Sequence, residues 1–179
     1  MRSSGVDIGP VGPQAAADIA AVKVAGWRTT YAAWVPAEVL APFLDEVRVA
    51  ASLERVLREE RNVCLAAHAG SEVVGFALCV RSGQPEPLLD SFHVLPEARG
   101  AGLGGRLLRE LAVELLQGAE ATLAVAVVEQ NAEARRLYER LGAVWTSSAP
   151  APWAPRDVRE AVYRWDDLKL LLNGGRAVS

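Results

Sequence analysis

This chain of 179 residues has few of the side chains that bind metals or cross-link small folds, with two cysteines and two histidines. Cys64 and Cys79 lie inside apolar segments and have no second cysteine or histidine at ligand spacing, which favours two buried thiols over a disulfide or a metal site. His68 and His93 are too few to build a zinc site without carboxylate ligands. The sequence therefore predicts no metal.

An excess of basic residues is also missing. The chain has 19 lysines and arginines against 22 acidic residues, and a nucleic-acid-binding surface normally needs the opposite balance. No apolar run approaches the roughly 18 residues that span a bilayer. The first 13 residues have glycine and proline where a signal peptide needs an apolar run. We expect a cytoplasmic protein with no nucleic-acid or membrane partner.

Hydrophobic residues make up 51% of the chain and charged residues 23%, which is typical of a globular domain. No repeat or linker divides it. We predict a single domain over residues 14–172. A loose segment over residues 1–13, with a short first strand around Val6–Ile8, precedes the domain, and a flexible tail over 173–179 follows it.

Hydrophobic periodicity separates a helical first part from a mixed second part. Helices are predicted over residues 14–30 and 49–61, with a helical piece that begins at Pro36. Residues 62–80 read as a β-hairpin that turns near Gly70–Ser71. The later elements are, in order, a strand at 88–94, a helix at 102–117, a strand at 122–128, a helix at 131–141 that ends at Gly142, and strands at 144–147 and 161–165.

The strand at 88–94, the helix at 102–117 and the strand at 122–128 form a βαβ unit, in which the two strands are parallel. Because an antiparallel hairpin precedes this unit, the fold class is mixed α/β (α+β).

A glycine-rich run, R-G-A-G-L-G-G, occupies residues 99–105 at the start of the helix at 102–117. The first turn of a helix has unpaired backbone N–H groups and the positive end of the helix dipole, so it attracts phosphate. Glycine removes side chains that would keep an anion from those groups. Arg99 at the entrance and Arg106 in the first turn add positive charge.

Two alternatives compete with this interpretation. Gly100, Gly102 and Gly105 fit the dinucleotide-binding pattern G-x-G-x-x-G, but five residues separate the strand from the loop, and Glu120 precedes its strand instead of ending it. The other alternative is a loop without a ligand, although each glycine at a helix start costs about 0.5–1 kcal/mol.

Residues 94–108, V-L-P-E-A-R-G-A-G-L-G-G-R-L-L, resemble the acetyl-CoA-binding motif of the GCN5-related N-acetyltransferase (GNAT) family. Residues 131–143, N-A-E-A-R-R-L-Y-E-R-L-G-A, resemble the second motif of that family, and V-A-G-W-R-T-T-Y at 24–31 is similar to a segment of many bacterial members. The resemblance implies a mostly antiparallel sheet with a central splayed parallel strand pair and flanking helices. It also implies acetyl-CoA as co-substrate, and homodimers are common in the family.

The resemblance assigns the cofactor site residue by residue. It implies that the pantetheine arm pairs with the backbone of His93 and Val94, and that Asn131 contacts the cofactor. The run that would surround the diphosphate comprises Arg99, Gly100, Ala101, Gly102, Leu103, Gly104 and Gly105.

The resemblance implies that Tyr138 is the general acid for the departing thiolate. A phenol with a pKa of about 10 keeps its proton at neutral pH, which suits that role. Asn131 and Tyr138 are seven residues apart, so they share one helix face. The candidates for the base are Asp90, His93 and Glu129, of which we favour Asp90.

Trp27 and Tyr31 are four residues apart and either line the acceptor site, as this region does in the family, or pack in the core. Trp153 is a weaker candidate for the opposite wall. The function that follows is transfer of an acetyl group from acetyl-CoA to a primary amine of a small molecule or peptide by direct attack. A non-catalytic acyl-CoA-binding or sensing domain is the alternative.

Overall fold

A computed structural model of the chain describes residues 5–155 and 157–175, in which helices cover both faces of one seven-stranded sheet of order β1-β2-β3-β4-β5-β7-β6. The strands are β1 (Asp7–Pro10), β2 (Val63–Ala69), β3 (Glu72–Val80), β4 (Leu88–Val94), β5 (Leu123–Val128), β6 (Val144–Pro150) and β7 (Arg159–Trp165). The helices are α1 (Ala16–Thr30), α2 (Ala37–Leu40), α3 (Glu46–Leu57), α4 (Leu103–Gln117), α5 (Ala132–Arg140) and α6 (Lys169–Leu172).

Strands β4 and β5 are parallel, and the other neighbouring strands pair antiparallel. The parallel ladder contains only the pairs Leu88–Ala124 and Leu89–Val125, after which the two strands part. The mixed fold class and the splayed central pair are therefore confirmed. A dinucleotide-binding domain needs an extended parallel sheet, so the G-x-G-x-x-G interpretation of the glycine run is wrong.

The hairpin predicted over residues 62–80 is β2 and β3, and Gly70 makes its turn with a φ of 65°. Helix α3 begins three residues before the predicted Val49. The reason is an N-cap, because the Asp45 carboxylate accepts a hydrogen bond from the backbone N–H of Arg48 at 3.1 Å. Periodicity locates the apolar face of a helix, whereas such a cap sets where the helix begins.

Two apolar layers cover the sheet. Helices α4 and α6 pack on one face, around Leu107, Leu111 and Trp165, and α1 and α3 pack on the other. Cys64 is buried in the α1 layer and Cys79 in the α4 layer, and burial raises the pKa of each thiol to about 12. Both cysteines are free, as predicted.

The ends of the domain are partly described. The short first strand lies at Asp7–Pro10, where β1 pairs with β2, while residues 1–4 of the predicted loose segment lie outside the described residues. The guanidinium of Arg106 donates to the Val6 carbonyl at 2.9 Å, which directs this side chain to the N-terminal segment instead of a bound anion. Helix α6 was not predicted, and residues 176–179 of the predicted tail are not described. No helix in the described ranges is long and apolar enough to cross a membrane.

Candidate functional site

The parting of β4 and β5 opens a cleft of about 1090 Å³ between α1, the start of α4 and α5. Almost all of the residues predicted for the site line this cleft, and Ala101, which is exposed, is the exception. The lining residues from that prediction are Trp27, Tyr31, Asp90, His93, Val94, Arg99, Gly100, Gly102, Leu103, Gly104, Gly105, Asn131 and Tyr138.

A β-bulge in β4 determines which of its side chains reach the cleft. Leu89 pairs with Cys79 and Ser91 pairs with Leu78, so Asp90 is an extra residue on β4. After the bulge Phe92 joins the α4 layer, whereas Ser91 contacts α1. Asp90 is exposed at the cleft wall, where the two parallel strands have just parted.

Asp90 belongs to a chain of three polar side chains. The Lys23 ammonium on α1 donates to Ser91 Oγ at 2.7 Å, and the Ser91 hydroxyl donates to Asp90 Oδ2 at 2.8 Å. Lys23 Nζ also lies 4.0 Å from that carboxylate oxygen. Burial lowers the pKa of Lys23, and the negative charge of Asp90 opposes that shift. The chain holds the carboxylate at the cleft with a defined orientation.

The His93 imidazole is half-buried between α1 and β3. It packs against Gly26, and its ring centroid is 5.7 Å from that of Phe76. Burial, with smaller contributions from Lys23 and Arg99, lowers the pKa of His93 to about 3. An imidazole with so low a pKa is a poor proton acceptor near neutral pH, so this geometry argues against His93 as the base.

The third candidate base, Glu129, is directed away from the cleft. Its carboxylate accepts a short hydrogen bond from the Ser148 hydroxyl and lies 3.9 Å from Nε of Arg159. These contacts join the end of β5 to β6 and β7. Glu129 is absent from the residues that line the cleft, whereas Asp90 lines it. Asp90 is therefore the candidate carboxylate that can reach a ligand in the cleft.

The glycine run forms an open loop before α4. Gly100 and Gly102 have φ angles of 86° and 73°, in the left-handed region that favours glycine, and no atom lies within 4 Å of where a Cβ would be on either. Gly102 is also the N-cap of α4, so the first backbone N–H groups of that helix point into this space. A Cβ on Gly104 would lie 3.1 Å from the Phe92 ring, which explains why the helix approaches β4 closely there.

Arg99 joins the two sides of the cleft. Its Nε donates to the Val94 carbonyl at 3.0 Å, and its Nη1 lies 3.6 Å from the carboxylate of Glu133 on α5. The guanidinium therefore lies at the entrance beside the glycine loop, where an incoming phosphate would meet it.

Helix α5 brings Asn131 and Tyr138 to the same cleft. Asn131 is the N-cap, and its side-chain oxygen accepts from the Ala134 N–H at 3.2 Å. Tyr138 is 4% exposed, and burial raises its pKa, with the nearby Tyr31 as a second cause. A raised pKa keeps the phenol protonated, which is the form a general acid needs.

Four half-buried aromatic side chains form one wall of the cleft, which we call the aromatic lobe: Trp27, Tyr31, Phe43 and Trp153. The Trp27 ring lies 4.6 Å from Phe43, 4.7 Å from Tyr31 and 4.9 Å from Trp153, between ring centroids. The indole N–H of Trp153 donates to Glu160 Oε1 at 2.7 Å.

Sequence reasoning missed Lys23, Phe43, Ser91 and Glu160 as lining residues. Lys23 had a signal, because it lies one helical turn before Trp27 and so shares its face of α1. Glu160 had none, since its position depends on the pairing of β7 with β5.

Comparison with known proteins agrees with this geometry. The family model described as the acetyltransferase (GNAT) family matches residues 27–143. An uncharacterised N-acetyltransferase of Mycobacterium tuberculosis strain H37Rv is 24% identical over 108 residues, which cover 60% of this chain and 69% of that protein.

Solved structures share the fold at low sequence identity. The PaiA N-acetyltransferase of Thermoplasma acidophilum, in complex with coenzyme A, has a TM-score of 0.71 at 16% identity, with 89% of this chain and 98% of that chain covered. The yncA protein of Salmonella typhimurium, with its cofactor acetyl-CoA, has a TM-score of 0.70 at 20% identity over 92% of this chain and 95% of that chain. Because the family match spans more than half of the sequence, the chain belongs to the GNAT acetyltransferase family.

Proposed function

We propose that this protein transfers an acetyl group from acetyl-CoA to a primary amine of a small molecule or peptide. The observation that carries the proposal is that a buried, protonated phenol and a glycine-rich helix start line one cleft, at the point where two parallel strands part. The glycine loop suits a diphosphate, and the parted strand edge suits a pantetheine arm.

The cofactor residues in this proposal are those of the sequence assignment. The open space beside Gly100 and Gly102 would take the diphosphate, and Arg99 would supply charge at the entrance. The backbone of β4 at His93 and Val94 would pair with pantetheine. PaiA was solved with coenzyme A and yncA with acetyl-CoA, so two proteins of this fold support that choice.

The proposed reaction is direct attack of the amine on the thioester. The nitrogen lone pair adds to the carbonyl carbon, the carbon–sulfur bond breaks, and the products are an amide and coenzyme A thiol. Tyr138 gives its proton to the departing thiolate, and the Asp90 carboxylate accepts a proton from the amine, directly or through water. Asp90 is favoured because the pKa of His93 is lowered to about 3 and Glu129 is directed elsewhere.

The test is replacement of Tyr138 by phenylalanine, with thiol release measured against a panel of amines and peptides. Loss of a general acid should lower kcat by about 100-fold and leave the dissociation constant for acetyl-CoA within about twofold. Tyr163→Phe is the matched control, because its hydroxyl donates to Glu139 and accepts from Arg135 outside the cleft. An unchanged kcat in Tyr138→Phe would refute the acid assignment.

A non-catalytic acyl-CoA sensor is the second candidate, and it shares the cofactor cleft. The polar chain from Lys23 to Asp90 favours the enzyme, since a sensor needs no carboxylate beside the thioester. Binding of acetyl-CoA without amine-dependent thiol release across the panel would support the sensor.

A further inference from the structure

The aromatic lobe is a preformed apolar surface that faces the cleft. Its four rings are half-buried and pack against one another at centroid distances of 4.6–5.7 Å. Aromatic side chains in a concave site are covered when a ligand with an apolar body binds there. The lobe therefore selects an acceptor with such a body.

The carboxylate of Glu160 joins the lobe. The Trp153 indole donates to one of its oxygens at 2.7 Å, which fixes the carboxylate at the edge of the rings. Glu160 also contributes to a pKa of about 12 for Tyr31, after the larger effect of burial, which places its negative charge beside a second ring of the lobe.

Two positive groups near the lobe, Arg159 and Lys23, are directed elsewhere. Arg159, the neighbour of Glu160, donates to the Ser148 hydroxyl and lies 3.9 Å from Glu129. Lys23 donates to Ser91 beside Asp90. Among residues 5–155 and 157–175, no ion pair of Glu160 with a lysine or arginine occurs within 4.0 Å.

Strand register gives the offset along the sheet between Glu160 and the end of the parallel ladder. Glu160 pairs with Val128, three residues along β5 from Val125, where the ladder with β4 ends. Three strand residues span roughly 10 Å. Asp90 follows Leu89 on β4, and Leu89 is the partner of Val125 in that last parallel pair. The cleft thus presents a carboxylate near the thioester position and a second one at the aromatic end.

We propose that the acceptor is an amine with an apolar or aromatic body and a second cationic group at its far end. The inference rests on the proposed function and specifies its substrate class. The reacting amine lies at Asp90, the body covers the aromatic lobe, and the second cation binds the Glu160 carboxylate beside the electron-rich ring faces. An acceptor with a carboxylate at that end meets Glu160 as a like charge and is disfavoured.

Three probes of similar shape test this charge preference: 1,4-bis(aminomethyl)benzene, benzylamine and 4-(aminomethyl)benzoate. Their far ends are cationic, neutral and anionic. We expect kcat/KM for the diamine to exceed that for benzylamine by about tenfold, beyond the roughly twofold statistical effect of its second amine. The benzoate should be poorer than benzylamine by a similar factor of about ten.

The Glu160→Gln variant assigns the preference to one residue. Glutamine keeps a carbonyl oxygen for the Trp153 indole and removes only the charge, so the lobe should stay intact. The ratio of kcat/KM between diamine and benzylamine should fall to about the twofold statistical value. Glu72→Gln, at the exposed first residue of β3, is the matched control and should keep the full ratio. An unchanged ratio in Glu160→Gln would overturn the proposal.

Binding measurements separate this inference from the proposed reaction. With the protein saturated in coenzyme A, the dissociation constants of the three probes are measured from quenching of the tryptophans that line the cleft, Trp27, Trp34 and Trp153. The diamine should bind most tightly and the benzoate most weakly. That order without thiol release would refute the transfer reaction and support the charge preference. Equal affinities, or tighter binding of the benzoate, would overturn the charge preference even if benzylamine is acetylated.

Discussion

A side chain on Gly26 would collide with the imidazole of His93. A Cβ at this position of α1 would overlap Nδ1 of the ring and lie 3.1 Å from its Cγ. The absence of a side chain on one residue of α1 therefore allows a β4 side chain to pack beneath the helix. This contact sets how closely the helix that carries Trp27 approaches the cleft strand.

Replacement of Gly26 by alanine should destabilise the protein although alanine is the better helix former. Overpacking costs about 1–3 kcal/mol, and the gain in helix propensity returns at most about 1 kcal/mol. We expect the free energy of unfolding to fall by about 1–2 kcal/mol in urea titrations. Gly9→Ala is the matched control, since no atom lies within 4 Å of its Cβ position. Equal stabilities of the two variants would contradict the contact.

The His93 imidazole should make the protein sensitive to acid. Its pKa is lowered from 6.5 to about 3, mainly by burial, so the unfolded chain takes up a proton at a higher pH than the folded chain does. The contribution of His93 to the free energy of unfolding is therefore fully present above pH 6.5. It is lost as the pH falls from 6.5 toward 3. The slope contributed by one such group approaches 1.4 kcal/mol per pH unit, to the order of magnitude.

Urea unfolding at a series of pH values measures this contribution. The free energy of unfolding of His93→Gln should fall less steeply between about pH 6 and pH 4 than that of the unmodified protein. The chain has only one other histidine, His68, and His68→Gln is the control that should keep the full slope. Identical slopes for the two variants would show that protonation of His93 does not cause the loss of stability in acid.

The sequence predicted those parts of the molecule that depend on local pattern. Alternation and apolar runs located β2 to β5, and the strand at residues 88–94 agrees with β4 to the residue. The bulge at Asp90 was not predictable, because it depends on the register of β4 against β3. The contact of Lys23 with Ser91 joins residues 68 positions apart, and no local pattern reports such a pairing.

Replacement of Lys23 by methionine should slow acetyl transfer without weakening cofactor binding. The variant keeps the length of the side chain but removes the donor to Ser91 Oγ, so the Ser91–Asp90 pair loses its anchor on α1. We expect kcat for amine acetylation to fall about tenfold, with the dissociation constant for coenzyme A within about twofold.

Two further variants make that prediction specific. Lys23→Arg keeps a cationic donor and should recover part of the lost kcat. Lys169→Met removes the other lysine of the chain, which is exposed on α6, and should leave kcat unchanged. A parallel loss of kcat and of coenzyme A affinity in Lys23→Met would indicate general damage to the cleft instead of a positioning role.

A comparison of Gly102 with Gly83 separates two effects of replacing a glycine. One is the conformational penalty of a side chain at positive φ, and the other is the loss of a binding site. Both have a φ of 73°, and no atom lies within 4 Å of either Cβ position. Alanine at either residue therefore pays the same penalty for the left-handed conformation, about 1–2 kcal/mol. Gly102 is the N-cap of α4 at the cleft, whereas Gly83 lies in the turn between β3 and β4, outside the cleft lining.

The two alanine variants should thus lose similar stability but differ in affinity for coenzyme A. A methyl group on Gly102 enters the space in which we propose that the diphosphate binds, and it separates the anion from the first N–H groups of α4. Isothermal titration should show a dissociation constant raised about tenfold or more in Gly102→Ala, and little changed in Gly83→Ala. If both variants bind coenzyme A equally well, the open space beside Gly102 is not the phosphate site, and the glycine serves only the backbone turn that begins α4.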